Sequence, residues 1–322
     1  MKIAPRFLFQ RAAAPQDGKD VEIMKKPSDY AIVPHLWFDT EAGEAVEFYV
    51  SLFENSRLVS STILKDTPSG DAEAVRFELA GQPFEAISGG PAFKLNPSIS
   101  LMVAFSSSEE VDRVWNALAK GGKALMELGE YPFSRRYGWI EDRYGLSWQL
   151  MLADGEMPAQ RITPNLLFSN EACGKAEQAV GFYAEVFPDS RVGLISKYRE
   201  GEADSPDAKV NFAGFKLRGQ DFAAMDNGYG EGFGFSAALS LIVYCADQRE
   251  VDYYWDRLSA VPEAEACGWV MDKFGVSWQI VPRALVELME SGDEAQADRV
   301  LRALLEMKKI DIEALERAYE GR

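Results

Sequence analysis

Residues 138–150 read Gly138-Trp139-Ile140-Glu141-Asp142-Arg143-Tyr144-Gly145-Leu146-Ser147-Trp148-Gln149-Leu150. The pattern returns at residues 268–280 as Gly268-Trp269-Val270-Met271-Asp272-Lys273-Phe274-Gly275-Val276-Ser277-Trp278-Gln279-Ile280. Each stretch is a short apolar strand, a turn with Asp and Gly, and a second strand that alternates. Leu146, Trp148 and Leu150 take one face of that strand, Ser147 and Gln149 the other. Alternation of this kind marks a strand packed on one side and facing polar groups on the other. A repeat this long governs the whole fold.

Outward from these strands, the matches continue. Ile32-Val33-Pro34-His35-Leu36-Trp37-Phe38-Asp39 answers to Ile162-Thr163-Pro164-Asn165-Leu166-Leu167-Phe168-Ser169. Both are strand-like, with Pro near the start, where a missing donor is tolerated. A helical stripe follows in each copy: Ala45, Val46, Tyr49 and Leu52, then Ala179, Val180, Tyr183 and Val186. The second copy carries about one extra turn, expected at the start of its helix. Gly81-Gln82 and Gly219-Gln220 mark matching hairpin turns. Each copy then runs through a second strand, helix and strand set, with a longer hairpin around Tyr131–Arg136 in the first. Four β-α-β-β-β units are expected, two per copy. The fold class is α+β, with tandem paired units and a helical tail. The divisions are an extension at 1–29, expected to be disordered, domains at 30–153 and 162–283, and C-terminal helices at 284–322.

Composition narrows function. The net charge is −17 and 47% of residues are hydrophobic. Bulk electrostatics therefore disfavour nucleic acid and anionic membranes as partners, and no apolar run approaches the ~20 residues of a membrane span. The three cysteines form no CxxC pair and read as reduced thiols of a cytoplasmic protein. Gly228-Tyr229-Gly230-Glu231-Gly232-Phe233-Gly234 is rich in glycine but leads to a strand, whereas a phosphate loop must open a helix.

Together, Pro34-His35-Leu36-Trp37-Phe38-Asp39, Gly89-Gly90-Pro91, Glu110-Val111-Asp112, the two Ser-Trp-Gln strands and Met307-Lys308-Lys309-Ile310-Asp311-Ile312 resemble the vicinal oxygen chelate superfamily. Its members include glyoxalase I, bleomycin- and fosfomycin-resistance proteins and extradiol dioxygenases. The chain looks most like the PhnB-like branch, over about residues 30 to 320. The resemblance implies sheets curled around a cup. Single-copy relatives need two chains to complete the pairing; this fused chain is expected to pair its own halves, and a homodimer remains open.

In metal-using members the ligands are a His on the first strand, a His on the matching strand of another unit, and a Glu on a last strand. By resemblance, these positions fall on His35 or Asn165; on Ser98 or Ser100, and Ser236, Ala238 or Ser240; and on Gln149 or Gln279. With one histidine in the chain, the two-His, one-Glu site cannot be built, and no metal and no cofactor is expected. Gln149, Gln279, Ser100 and Asn165 suit hydrogen bonding to a small polar ligand; alternatively the glutamines satisfy buried backbone groups. His35 is the candidate general base or a buried, hydrogen-bonded His. Trp37 walls a pocket or fills core. The working site is expected in the first copy, on His35, Trp37 and Gln149, with Arg135 and Arg136 adding positive charge near its mouth.

The expected function is small-molecule binding with chemistry unspecified and independent of metal. The alternatives are a metal-dependent lyase, transferase or dioxygenase using His35, and a non-enzymatic sequestering or resistance protein. Whether the protein is an enzyme stays open. The ubiquinone-pathway methyltransferase label sometimes attached to this family finds no S-adenosylmethionine-binding unit in these residues.

Overall fold

The computed structural model describes residues 32–230 and 232–322; the extension expected over residues 1–29 lies outside them. The first unit is β1 (Ile32–Phe38), α1 (Ala42–Leu52), β2 (Arg57–Thr67), β3 (Gly70–Leu79) and β4 (Gln82–Ser88). The second is β5 (Ile99–Phe105), α2 (Ser108–Leu118), β6 (Lys123–Tyr131), β7 (Ser134–Glu141) and β8 (Ser147–Leu152). The third is β9 (Ile162–Phe168), α3 (Ala176–Val186), β10 (Arg191–Lys197), β11 (Val210–Leu217) and β12 (Gln220–Asp226). The fourth is β13 (Leu239–Cys245), α4 (Gln248–Leu258), β14 (Trp269–Met271) and β15 (Ser277–Pro282). A tail of α5 (Arg283–Ser291), α6 (Glu294–Leu305) and α7 (Ile312–Glu320) follows. The fold is α+β, built of tandem β-α-β-β-β-type units with C-terminal helices.

Two local departures from expectation have physical causes. The extra residues of the third unit do not lengthen α3. They form a separate 3-10 turn at Asn170–Ala172, because Gly174 takes φ +83° and breaks the chain before α3. Asp226 then caps that helix, accepting from Gly174 N and Ala176 N at 2.8 and 3.1 Å. The fourth unit has one strand fewer. Its open backbone is met by the tail, where Cys267 N and Gly268 N donate to Met307 and Lys308 carbonyls, both at 2.8 Å. The tail thus does the work of the missing strand.

Sheets and copies do not coincide. A seven-stranded sheet runs β14-β15-β13-β1-β4-β3-β2, and an eight-stranded sheet runs β10-β11-β12-β9-β5-β8-β7-β6. The first unit therefore shares a sheet with the fourth, and the second with the third. The short connection after Leu152 is the reason. It lets β9 fold back antiparallel onto β5, pairing Ser100 with Asn165, which leaves β1 to pair antiparallel with β13. The hairpin glutamines clasp both seams. Gln82 exchanges two hydrogen bonds with the backbone of Ile162, and Gln220 does the same with Ile32.

Within a copy, the units meet through the helix-bearing faces of the sheets. Tyr49 of α1 packs on Trp148 of β8 and Tyr183 of α3 on Trp278 of β15, each with ring centres 5.3 Å apart. These rings are fully buried in one core that runs through all four units. The Asp of the repeated motif serves this core. Asp272 accepts from Phe274 N, Val276 N, the Trp278 indole and the Tyr183 hydroxyl, so one carboxylate shapes the turn and fixes two core rings. Asp142 holds Tyr144 N, Leu146 N and the Trp148 indole in the same way.

Candidate functional site

Residues at alternate positions of β1 and β9 face the other, concave side of each sheet. In the seven-stranded sheet, His35 pairs with Ser240, and Gln279 of β15 donates to Ser240 Oγ at 2.9 Å. Trp269 of β14 stands opposite Gln279 and meets the His35 ring edge-on at 5.7 Å. Trp37 leans on Trp269 and Phe93, at 6.2 and 5.1 Å. Its indole donates to the Gly90 carbonyl at 2.7 Å. A Cβ at Gly89 would fall 2.3 Å from this ring, which explains the glycine pair in the sequence.

His35 is 7% exposed, and its Nδ1 has no hydrogen-bond partner. Burial lowers its pKa from 6.5 to about 4, so the ring is neutral near pH 7. On β4, Glu85 stands in register with His35. It accepts from Tyr244, with Arg76 Nε 3.6 Å from its carboxyl and Arg76 in turn paired to Glu290 of α5. Burial raises the Glu85 carboxyl, against the opposing pull of Tyr244 and Arg76. Val33, Ile242 and Tyr244 pack with Val286 of α5. The His35 end of the first cup is thus walled by Trp37 and Trp269, and its Val33–Tyr244 end packs under α5.

The eight-stranded sheet holds the counterpart set. Gln149 donates to Ser100 Oγ at 2.7 Å, Asn165 Nδ2 to the same oxygen at 3.3 Å, and Tyr137 to Gln149 Oε1 at 2.8 Å. Asn165 and Ser100 are fully buried, and Asn165 Oδ1 is without a partner. Beside this set opens a cavity of about 530 Å³. Met102, Met151, Phe212 and Ala223 line it, as do Thr163 and the cations Arg161, Arg191 and Lys216. The first three of these, with Ala223 and Tyr137, form one apolar cluster. That cluster joins the cavity wall to the Gln149 set through Tyr137.

These positions correct the sequence expectation. His35 and Trp37 are together, but Gln149 lies in the other sheet and has Asn165 and Ser100 as neighbours, while His35 has Ser240 and Gln279. Arg136 pairs with Asp112 of α2 at 2.7 Å, on the helix side of the sheet rather than over a cup. Trp269, Tyr137 and the cavity cations were missed. Trp269 stood in the repeated motif, and its place beside His35 would follow only from pairing the first unit with the fourth.

The donors do not fit a divalent metal. His35, Ser240 and Gln279 offer one imidazole, a hydroxyl and an amide, and the neighbouring Glu85 carboxyl is engaged by Tyr244 and Arg76; Asn165, Ser100 and Gln149 offer no imidazole at all. No group of three His, Cys, Asp or Glu suited to a metal occurs among the described residues. No helix among them is long and apolar enough to cross a membrane.

Residues 30–151 and 160–281 each match the family model described as 3-demethylubiquinone-9 3-methyltransferase. A PhnB protein from Bacillus cereus of the same description is 40% identical, covering 38% of this chain and 98% of that one, with a TM-score of 0.36. Glyoxalase I from Zea mays is 13% identical over 69% of this chain and 77% of its own, with a TM-score of 0.45. A fosfomycin resistance protein from Listeria monocytogenes is 18% identical over 36% and 88%, with a TM-score of 0.30. No curated protein matches the chain. Among the described residues, the glycine-rich segment does not supply the strand-loop-helix unit of a nucleotide site. The glycine-rich segment after β12 leads to β13 without a helix among its described residues, so it offers no helix N-terminus to a nucleotide.

Proposed function

We propose a function from one premise: the chain belongs to the family described as 3-demethylubiquinone-9 3-methyltransferase, as a two-copy member of the PhnB-like branch of the vicinal oxygen chelate superfamily. The protein binds a small molecule in the cup of its eight-stranded sheet, by apolar contact and hydrogen bonding and without a metal. One observation carries this reading: the 530 Å³ cavity beside the hydrogen-bonded Asn165, Ser100, Gln149 and Tyr137. Its size falls in the range of small-molecule sites, which are mostly apolar with a few placed polar groups. The first cup, with α5 over one end, serves structure. His35, neutral and hemmed in by Trp269, is a core histidine in this reading and not a general base.

In any ligand step, the chain's own groups have defined parts. Met102, Met151 and Phe212 exclude water from an apolar body, while the Gln149 amide is held at both ends by Ser100 and Tyr137, and Asn165 is held by Ser100 through its Nδ2 alone. Of the four hydrogen-bonded groups, Ser100, Gln149 and Asn165 are neutral, and burial raises the Tyr137 phenol above its ordinary range, so it keeps its proton near pH 7. No methyl-transfer step is assigned.

The test uses N-phenyl-1-naphthylamine, a neutral probe that fluoresces in apolar sites. Wild type should bind it, and Ala223→Trp, which fills the cavity, should abolish the signal while circular dichroism stays unchanged. Equal fluorescence from a folded Ala223→Trp variant would reject the cup.

A further inference from the structure

We infer that this cup selects an organic anion: an apolar or aromatic body carrying a carboxylate, sulfonate or phosphate at the mouth and a hydroxyl or amino donor at the inner end. This rests on the second cup being the ligand site.

The charge distribution carries the inference. The chain has a net charge of −17, yet its cavity is lined by Arg161, Arg191 and Lys216 against Glu156 and Asp221. Lys216 is held by Asp221 at 2.6 Å and is neutralised. Glu156 already has a partner. Arg161 makes long contacts of 3.4 and 3.5 Å to the Ala104 carbonyl and lies over the Phe105 ring at 5.8 Å. Arg191 has no ion pair among the described residues. Two guanidinium groups with unspent donors therefore stand at one small cavity of an acidic protein. Their planar forks match oxyanions better than any other ligand group.

The inner end makes the second demand. Asn165 Oδ1 is a buried acceptor without a donor, and such groups are uncommon in folded proteins. Asn165 lies beside Ala223 across the β9–β12 pairing and on the same face as Thr163; both of those residues line the cavity. A ligand that enters past the arginines and rests on Met102 and Phe212 would bring its donor to the Thr163–Ala223 wall, directly behind which this oxygen lies. The three lining methionines, Met102, Met151 and Met157, adapt to varied shapes, so the body is specified by polarity more than outline.

The experiment compares two probes of one frame: 8-anilinonaphthalene-1-sulfonate and the neutral N-phenyl-1-naphthylamine. Fluorescence titrations at low salt should give the sulfonate at least about tenfold tighter binding, a difference of about 1.4 kcal/mol. Arg191→Gln should weaken the sulfonate by about three- to tenfold and leave the neutral probe unchanged, and Arg191→Glu should weaken it further. Added salt should reduce the sulfonate's advantage. Equal binding of both probes by wild type, or a sulfonate affinity indifferent to Arg191→Glu, overturns the anion preference and leaves the cup standing. Failure of wild type to bind either probe overturns both.

Discussion

Gln220 grips Ile32 with both ends of its amide, accepting from the backbone N–H at 2.9 Å and donating to the carbonyl at 2.7 Å. Gln82 treats Ile162 the same way, at 2.7 and 2.8 Å. Each clasp ties a hairpin of one copy to the first strand of the other. Replacing either Gln by Leu leaves a backbone donor and acceptor without partners, at about 1–2 kcal/mol. The parallel registers of β1 with β4 and of β9 with β12 set Gln82 beside Ile32 and Gln220 beside Ile162, so the clasps are neighbours. Gln82→Leu with Gln220→Leu should therefore cost more than either single change without equalling their sum. Urea unfolding reads this directly; a double variant within about 0.5 kcal/mol of wild type, the range of ordinary surface changes, would show that the clasps are incidental.

The cross-copy seams predict how the halves behave apart. Residues 32–160 and 161–322 each carry units whose sheet partners are in the other piece. Separated, each exposes the edge of β1 or β13 and of β5 or β9, which are hazards for association. Mixed or co-expressed, they should recover a one-to-one complex on size-exclusion chromatography. Two halves that stay folded, monomeric and indifferent to each other would contradict the sheet order.

Much of this fold was legible in the sequence, and the reason is periodicity. The alternation of Leu146, Trp148 and Leu150 and the helical stripe through Tyr49 are local patterns, and local patterns identify elements. The pairing of β1 with β13 is not local. No feature of Ile32–Phe38 names its neighbour, since β8 and β15 carry nearly the same motif. His35 was therefore matched with Gln149 instead of Gln279. The cavity suffered likewise, because Met102, Phe212 and Ala223 converge only once the second and third units share a sheet. The extra turn before α3 failed for a different reason: Gly174 and the Asp226 cap act through backbone conformation, which apolar spacing does not report.

His35 should make the protein acid-sensitive in a defined window. The unfolded imidazole binds its proton below about pH 6.5, but the folded one does so only below about 4. Between those values the unfolded state holds more protons, so stability falls as the pH falls from 6.5 towards 4, and the residue has no effect above that range. The full loss is about 3 kcal/mol, from about 1.4 kcal/mol per pH unit. His35→Asn, the side chain at the matching position Asn165, should flatten the difference. Denaturation midpoints at pH 7, 6, 5 and 4 measure it; parallel profiles for the two proteins would remove His35 as the cause.

Asp272 should matter more than any surface carboxylate. Burial raises its carboxyl, while bonds from Trp278, Tyr183, Phe274 and Val276 oppose that rise. Asp272→Ala would leave two buried backbone donors, an indole and a phenol unpaired, so a loss of about 3–5 kcal/mol is expected. Trp278 emission should shift red as its ring loosens. A loss below about 1 kcal/mol, the size of one ordinary hydrogen bond, would mean that the turn and the Tyr183–Trp278 contact hold without the carboxylate.

A metal site, of which none occurs among the described residues, can be built at His35. His35 pairs with Ser240, and Gln279 reaches Ser240 Oγ at 2.9 Å, so three side chains already converge where metal-using relatives would place His, His and Glu. S240H with Q279E would supply a second imidazole and a carboxylate, the donor types that zinc takes at about 2.0–2.2 Å. The buried negative charge should make the metal-free double variant less stable than wild type, since a carboxylate without a partner is costly to bury. Zinc or nickel should then restore stability, by about 2.7 kcal/mol at a free concentration of about 100 times the Kd. Wild type, with a hydroxyl and an amide at those positions, should show no shift under the same conditions. Thermal unfolding with and without metal, together with elemental analysis after dialysis, separates the cases. A folded double variant that takes up no metal would mean that α5 and the indoles of Trp37 and Trp269 keep the three groups from closing on an ion. Stoichiometric metal in wild type, lost on His35→Ala, would overturn the metal-free, structural reading of the first cup.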